Sequence, residues 1–330
     1  MLKSSLLLQI IFCLLIFNGI QNNAEAQDPE FTQFYANPLY LNPAFAGTAR
    51  CPRFVMNYRN QWPALVGTFV TTAASYDQHI DAISGGLGFQ LYNDNAGKGT
   101  LKTTSFSSIY YYQKQISLTV SLKAVFQATY FQRSLDFSKL SFGDQIDPKK
   151  GFIYQTQDIK RGGVVNSVDF STGVLVFTEK LYGGVAVHHL TEPNESLITE
   201  ESRLPRKFTG HFGAVFSVDG LREGLSEVKL SPNVLYQLQG DFSQLNFGLY
   251  VQKGPLVGGI WYRTNNEFIG DSFIVLLGVQ TNTVKIGYSY DLTVSRLSTK
   301  SGGSHEISFA LQFGCKPIKK KFRTISCPSF

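Results

Sequence analysis

The sequence predicts an all-β protein: a transmembrane antiparallel β-barrel of about fourteen strands, with a periplasmic N-terminal segment and a C-terminal tail. Three observations carry that prediction. One strand-like run is too long for a globular sheet, the amino terminus directs export, and the composition is poor in charge and rich in alternation.

The long run spans residues 116–130. Ile116, Leu118, Val120, Leu122, Ala124, Phe126, Ala128 and Tyr130 fall on one face, and Ser117, Thr119, Ser121, Lys123, Gln127 and Thr129 on the other. Side chains of a strand point alternately to opposite faces, so this pattern makes one greasy and one wet side. Globular strands run about 5–6 residues, whereas a strand tilted across a bilayer needs roughly 9–11.

At the amino terminus, Lys3 precedes an apolar core over residues 6–17, and Ala24-Glu25-Ala26 offers a small-x-small cleavage site before Gln27. Residues 1–26 therefore read as a secretory signal peptide. Cys13 lies inside its apolar core and leaves with it. Beyond Gln27 no run reaches the roughly 18 apolar residues of a spanning helix, so a membrane-embedded mature chain must enter as strands. Charged residues make up only 16% and aromatics 14%, with 30 glycines, which suits a large sheet that turns often. A soluble β-sandwich or propeller would use shorter strands.

Alternation between turn signals places strands near 53–58, 67–76, 83–92, 101–113, 116–130, 167–177, 181–190, 207–217, 228–239, 244–252, 256–264, 272–280, 284–293 and 305–313. An even number is what bacterial outer-membrane barrels require. With both ends in the periplasm, Lys114-Gln115, Glu179-Lys180, Lys253-Gly254 and Thr281-Asn282 become tight inner turns, while 93–99, 131–166, 191–206 and 294–304 become longer outer loops. Short inner turns and long outer loops are the expected asymmetry. The connection 219–227 is long for the inside and Gly240-Asp241 short for the outside. The chain thus divides into a signal peptide (1–26), a periplasmic segment or plug (27–52), the barrel (53–313) and a basic periplasmic tail (314–330).

No catalytic constellation stands out in the sequence. His188 and His189 are adjacent on a strand, so they are expected to face opposite sides and not to share a metal. Gly85-Gly86-Leu87-Gly88 lacks the following helix a phosphate loop needs, and glycines there more naturally relieve crowding in the wall. Glu200-Glu201 and Asp241 fall in predicted loops as solvated charge. No catalytic, cofactor-binding or metal-binding set is expected, and the protein is read as a non-enzyme.

The mature chain keeps Cys51, Cys315 and Cys327. An oxidising envelope permits one disulfide. Cys315 with Cys327 would close a loop in the tail and is the preferred pair; Cys51 with Cys315 is the competitor, since these flank the first and last strands. The tail also carries Lys316, Lys319, Lys320, Lys321 and Arg323, five of the net charge of +6. It reads as a docking strip for an acidic periplasmic partner or as a solubilising tail; a secreted chain does not meet nucleic acid.

The most specific text follows the cleavage site. Residues 27–47 read Gln-Asp-Pro-Glu-Phe-Thr-Gln-Phe-Tyr-Ala-Asn-Pro-Leu-Tyr-Leu-Asn-Pro-Ala-Phe-Ala-Gly. Gln33, Tyr35, Asn37, Pro38, Leu39, Leu41, Asn42, Pro43, Ala44, Phe45, Ala46 and Gly47 closely resemble the opening motif of the PorP/SprF family of Bacteroidota. Tyr58-Arg59-Asn60-Gln61-Trp62-Pro63, Gly85-Gly86-Leu87-Gly88 and Gly287-Tyr288-Ser289-Tyr290-Asp291 also look like that family. The resemblance implies an integral outer-membrane protein of the type IX secretion system and gliding machinery. Its implied partners are periplasmic ring or lipoprotein components, and secreted cargo with a C-terminal sorting domain or a surface adhesin.

Asn-Pro twice in six residues is expected to enforce turns and extended backbone and to block helix. The leader aromatics should bury, either as a plug at the periplasmic mouth or against a partner. Expected partner-binding residues are Tyr35, Asn37, Pro38, Leu39, Asn42, Pro43 and Phe45 in the leader, Lys319, Lys320, Lys321 and Arg323 in the tail, and Phe142, Phe152 and Tyr154 on the longest outer loop. The function expected is delivery or retention of cargo at the cell surface. A general diffusion porin or small-solute transporter is the alternative, favoured by a polar lumen but leaving leader and tail without a role.

Overall fold

The computed structural model describes residues 27–65, 67–147, 149–154, 163–197, 201–218, 228–266, 270–294 and 301–314. The expected signal peptide and basic tail lie outside the described residues. The strands are β1 (Arg53–Gln61), β2 (Phe69–Ile80), β3 (Gly85–Ala96), β4 (Leu101–Gln115), β5 (Ser121–Leu135), β6 (Val164–Phe177) and β7 (Leu181–His188). They continue as β8 (Lys207–Ala214, extended past Val215 by Phe216–Val218), β9 (Val228–Gln239), β10 (Phe242–Lys253), β11 (Leu256–Thr264), β12 (Gly270–Gln280), β13 (Val284–Thr293) and β14 (Ser304–Gln312).

Each strand pairs antiparallel with its sequence neighbour. The ring closes where β1 meets β14, from Arg53 opposite Gln312 to Gln61 opposite Ser304. The result is a closed barrel of 14 staves. All fourteen predicted strands are present, because their period-two alternation survives whatever the neighbours do. In β5, Lys123, Val125, Gln127 and Phe131 turn inward and are buried, while Phe126 and Tyr130 stand outward and exposed. Outward apolar side chains such as Leu91, Phe106, Phe212, Ile260 and Leu277 form the lipid-facing surface.

Two local expectations need correction. Residues 116–120 belong to the turn and not to β5, and Lys114-Gln115 end β4 instead of forming the turn. The Ile116 N–H donates to the Val120 carbonyl at 3.0 Å, and Ser117 Oγ accepts from the Val120 N–H at 3.2 Å. A serine hydroxyl that caps its own turn is invisible to a count of alternation. His188 and His189 also do not divide between two faces. The strand ends at His188, His189 adopts φ +58°, and both side chains line the lumen.

One end of the barrel carries short reversals, such as 116–120 and Gly254-Pro255, together with Cys51 and the last residues of β14. The other end carries the long connections, including a two-residue ladder that pairs Ile146–Asp147 with Gly151–Phe152. We call these the turn end and the loop end.

Candidate functional site: the threaded leader and the chamber above it

Residues 27–52 run through the lumen from the loop end to the turn end. Asp28 lies beside Gln239, His189 and Lys207, all at the loop end, whereas Gly47 reaches Asp77 and Pro52 meets Phe313 at the turn end. The first and last described residues therefore lie toward opposite ends of the barrel, while the two ends of the barrel itself, Pro52 and Phe313, meet at the turn end.

The leader is built from three short helical turns, Phe34–Ala36, Pro38–Leu41 and Pro43–Phe45. Asn-Pro does not block helix here. Each proline stands at the start of its turn, where its missing N–H would have had no partner and its fixed φ suits the helix. Asn42 caps the third turn by accepting from the Ala44 N–H at 2.9 Å. Its amide nitrogen donates into the wall, 3.3 Å from the carbonyls of Val174 and Val185. Wall glycines make room: a Cβ on Gly184 would lie 2.9 Å from Asn42 Nδ2, and one on Gly173 2.5 Å from its Oδ1.

Below mid-height the lumen is filled by an aromatic core. Phe34, Tyr35, Leu39 and Phe45 pack against Tyr111, Tyr182, Leu235, Tyr250 and Trp261 from around the wall. Ring pairs meet edge-on, Phe34 with Trp261 at 4.9 Å and Tyr35 with Phe45 at 5.9 Å, a geometry aromatic quadrupoles favour. The leader is then pinned at its exit. Asp77 accepts the Gly47 N–H at 2.6 Å and pairs with Arg53 at 2.9 Å, and Lys123 Nζ donates to the Ala46 carbonyl at 2.7 Å. Gly47 has φ +63°, and a Cβ there would fall 1.8 Å from the Tyr111 hydroxyl, so only glycine fits.

Above mid-height the contacts are polar. The Thr32 and Gln33 N–H groups donate to the Glu306 carboxylate at 2.6 and 3.2 Å, and Arg59 pairs with Glu306 and Asp291. Arg263 bonds Asp291 and lies 3.7 Å from Glu30. His189 bridges the carboxylates of Asp28 (2.9 Å) and Asp169 (2.8 Å), with Lys207 3.7 Å from Asp28. Burial alone would lower the His189 pKa, but the two carboxylates outweigh it and raise it to about 9. Burial would likewise raise Asp28, yet His189 and Lys207 hold its carboxyl well below the usual carboxylate range. This latch holds the leader's first residues.

Beside the latch, from mid-height up to the loop end, lies a chamber of about 560 Å³. Gln27 and Asp271, both exposed, mark where it reaches solvent, and Glu195 and Leu204 of the connection after β7 close part of its roof.

The expected leader residues Tyr35, Asn37, Pro38, Leu39, Asn42, Pro43 and Phe45 are all buried inside the barrel. The surface they were expected to offer at the periplasmic mouth is covered by wall residues, because a closed barrel supplies the apolar partners that a solvated leader lacks. On the connection that carries the loop-end ladder, Phe152 and Tyr154 are exposed at 63% and 55%, while Phe142 is half-buried. Lys319, Lys320, Lys321, Arg323, Cys315 and Cys327 lie outside the described residues. Cys51 is disulfide-bonded and buried against the end of β14, with Gln312 Nε2 3.5 Å from its sulfur. The pairing preferred from sequence left Cys51 as the spare thiol. Cys51 is bonded, and its partner lies outside the described residues.

Sequence reasoning missed the wall residues that grip the leader: Arg53, Arg59, Asp77, Lys123, Asp291 and Glu306. Their signal was present. Each is a charge on the inward phase of an otherwise alternating strand, and such a charge needs a partner in the lumen.

A family model described as type IX secretion system membrane protein PorP/SprF matches residues 23–311. No curated protein matches the chain. Among solved structures, the Acinetobacter baumannii outer membrane protein Omp33 is 9% identical, with 80% of this chain and 100% of that chain covered and a TM-score of 0.43. The Ralstonia pickettii toluene transporter TbuX is 8% identical, with coverage of 84% and 93% and a TM-score of 0.45. KdgM porin is 7% identical, with coverage of 79% and 99% and a TM-score of 0.34.

Proposed function

The chain belongs to the PorP/SprF family of type IX secretion system membrane proteins, and from that premise we propose that it is a non-enzymatic surface station of that system. In this reading it docks envelope components at the turn end and delivers or retains secreted cargo, such as an adhesin, at the loop end.

One observation carries the reading: the leader fills the lower lumen with an aromatic core and is pinned to the wall along its length. A barrel plugged by its own first residues is a poor conduit and a good rigid scaffold. The surfaces proposed for partners are the exposed Phe152 and Tyr154 at the loop end and, in the sequence that follows β14, the basic residues Lys319, Lys320, Lys321 and Arg323. Aromatics on a loop held by a rigid frame suit recognition.

The test is a mild-detergent pull-down of the tagged protein from envelopes, with mass-spectrometric identification of what accompanies it. Truncation after residue 314 should lose periplasmic ring or lipoprotein components, and a Phe152→Ala, Tyr154→Ala variant should lose surface cargo. Recovery of both sets by both variants would refute the assignment. The diffusion-porin alternative requires a stable large conductance in planar bilayers from the intact chain, and the plugged lumen argues against it.

A further inference from the structure

The chamber above the plug is lined by polar groups whose bonding is unfinished, in a pattern that selects a ligand. Its cations are spoken for. Arg59 and Arg263 pair with Asp291, Arg133 with Glu195, and Lys207 with Asp28. What remains is neutral apart from Asp94, whose carboxylate accepts from Thr71 Oγ1 at 2.6 Å. The amide of Gln244, only 2% exposed, has no partner at either oxygen or nitrogen among the described residues. The Gln127 amide donates to Ser107 at 3.2 Å and Thr129 at 3.0 Å, but its carbonyl oxygen, buried as well, accepts nothing. Thr103 and Ser105 extend this strip of hydroxyls toward the loop end, and the stacked rings of Tyr40 and Tyr92, 5.6 Å apart, flank it.

From this arrangement we propose that the chamber binds a neutral, polyhydroxylated ligand, a short oligosaccharide entering from the loop end. The inference does not depend on the docking role proposed above. Buried amides and hydroxyls left unmatched are costly unless something supplies both donors and acceptors. A sugar hydroxyl does both, and its apolar ring face packs on tyrosine. An anionic ligand would have to break existing ion pairs to find a cation. An extended peptide would look for a free strand edge, and a closed barrel has none. The chamber volume of about 560 Å³ lies within the range of small-ligand sites, about 300–1,000 Å³.

The full chain in detergent is the material for the test, with an array of neutral oligosaccharides, sulfated oligosaccharides and extended peptides as the probes. Retention of neutral oligosaccharides is expected. Titration of the best of them should weaken at least tenfold in Gln127→Leu, Gln244→Leu protein that keeps the heat-modifiable migration of a folded barrel. Should that variant not fold, Gln244→Glu, which keeps the shape but removes the donors, is read instead, with the same loss expected. The protein has two tryptophans. Trp62 lines the chamber and Trp261 is buried in the plug core, so ligand should alter emission in wild type and not in Trp62→Phe. Empty neutral arms of the array, preferential capture of sulfated glycans or peptides, or equal affinity in the glutamine variants would each overturn the proposal.

Discussion

The two halves of one lumen are built by opposite rules. The lower half is filled mainly by apolar side chains, with Arg53, Asp77 and Lys123 at its exit; Tyr35, Leu39 and Phe45 of the leader are at most 3% exposed there. The upper half is polar and hollow, and its leader contacts are ion pairs at Asp28 and Glu30 and hydrogen bonds from Thr32 to Glu306. Packing places a segment firmly but leaves no room for anything else. Charge pairs hold a segment at its edges and leave space beside it. The contrast teaches that the plug closes the barrel with its lower part, while its upper part serves as the floor of a chamber.

The largest blow to the lower half should come from Gly47→Val. The new side chain would meet the Tyr111 hydroxyl at a left-handed φ, and we expect the plug to unseat, with stability falling by more than about 3 kcal/mol. Limited proteolysis of the leader and bilayer conductance would register it; a closed, protease-resistant barrel would show that packing there is not decisive. Asp77→Ala comes next. It leaves the buried Arg53 with only the Phe45 carbonyl and no counter-charge and should cost about 3–5 kcal/mol, measured as the loss of heat-modifiable migration at lower temperature. Cys51→Ser should cost about 2–4 kcal/mol, with peptide mapping of the unreduced protein recovering a Cys51–Cys315 linked pair in wild type. A Cys315–Cys327 peptide instead would restore the tail loop.

The latch in the upper half should respond to pH. A group whose folded pKa is raised contributes stability below its unfolded pKa and loses it as pH climbs through the folded one. His189, raised from 6.5 to about 9, should therefore hold the leader's start fully below pH 6.5 and release it progressively toward pH 9. That contribution is at most about 3 kcal/mol. Asp28, lowered, adds stability above its ordinary value of 3.8 that fades as pH falls. Thermal melts across pH should thus be flatter in His189→Asn than in wild type; equally steep curves would remove the latch. The smallest effect belongs to Phe152→Ala. As an exposed loop substitution it should change stability by no more than about 0.5 kcal/mol while reducing recovery of surface cargo.

Legibility followed the range of the forces involved. Fourteen staves could be read because each is written in its own alternation, and even the break of β8 at Val215 moves no neighbour. The leader's wish to bury was also plain from Phe31, Phe34, Tyr35, Tyr40 and Phe45. Its destination was not, since Thr32 bonds Glu306 and Asn42 bonds Val174 and Val185 across very long stretches of chain. The turn at residues 116–120 was misread for a smaller reason, a single serine hydroxyl.

By itself, then, the sequence determined the class of the scaffold, its strand count and the inward or outward sense of nearly every side chain, because period two is a local property of an extended backbone. Only the tertiary structure decided that the leader threads the barrel from loop end to turn end, that Asn-Pro starts helical turns instead of forbidding them, and that a chamber remains above the plug. Those outcomes depend on which buried charges and glycines face one another across a closed ring. Side chains from opposite staves meet there only once the ring has closed.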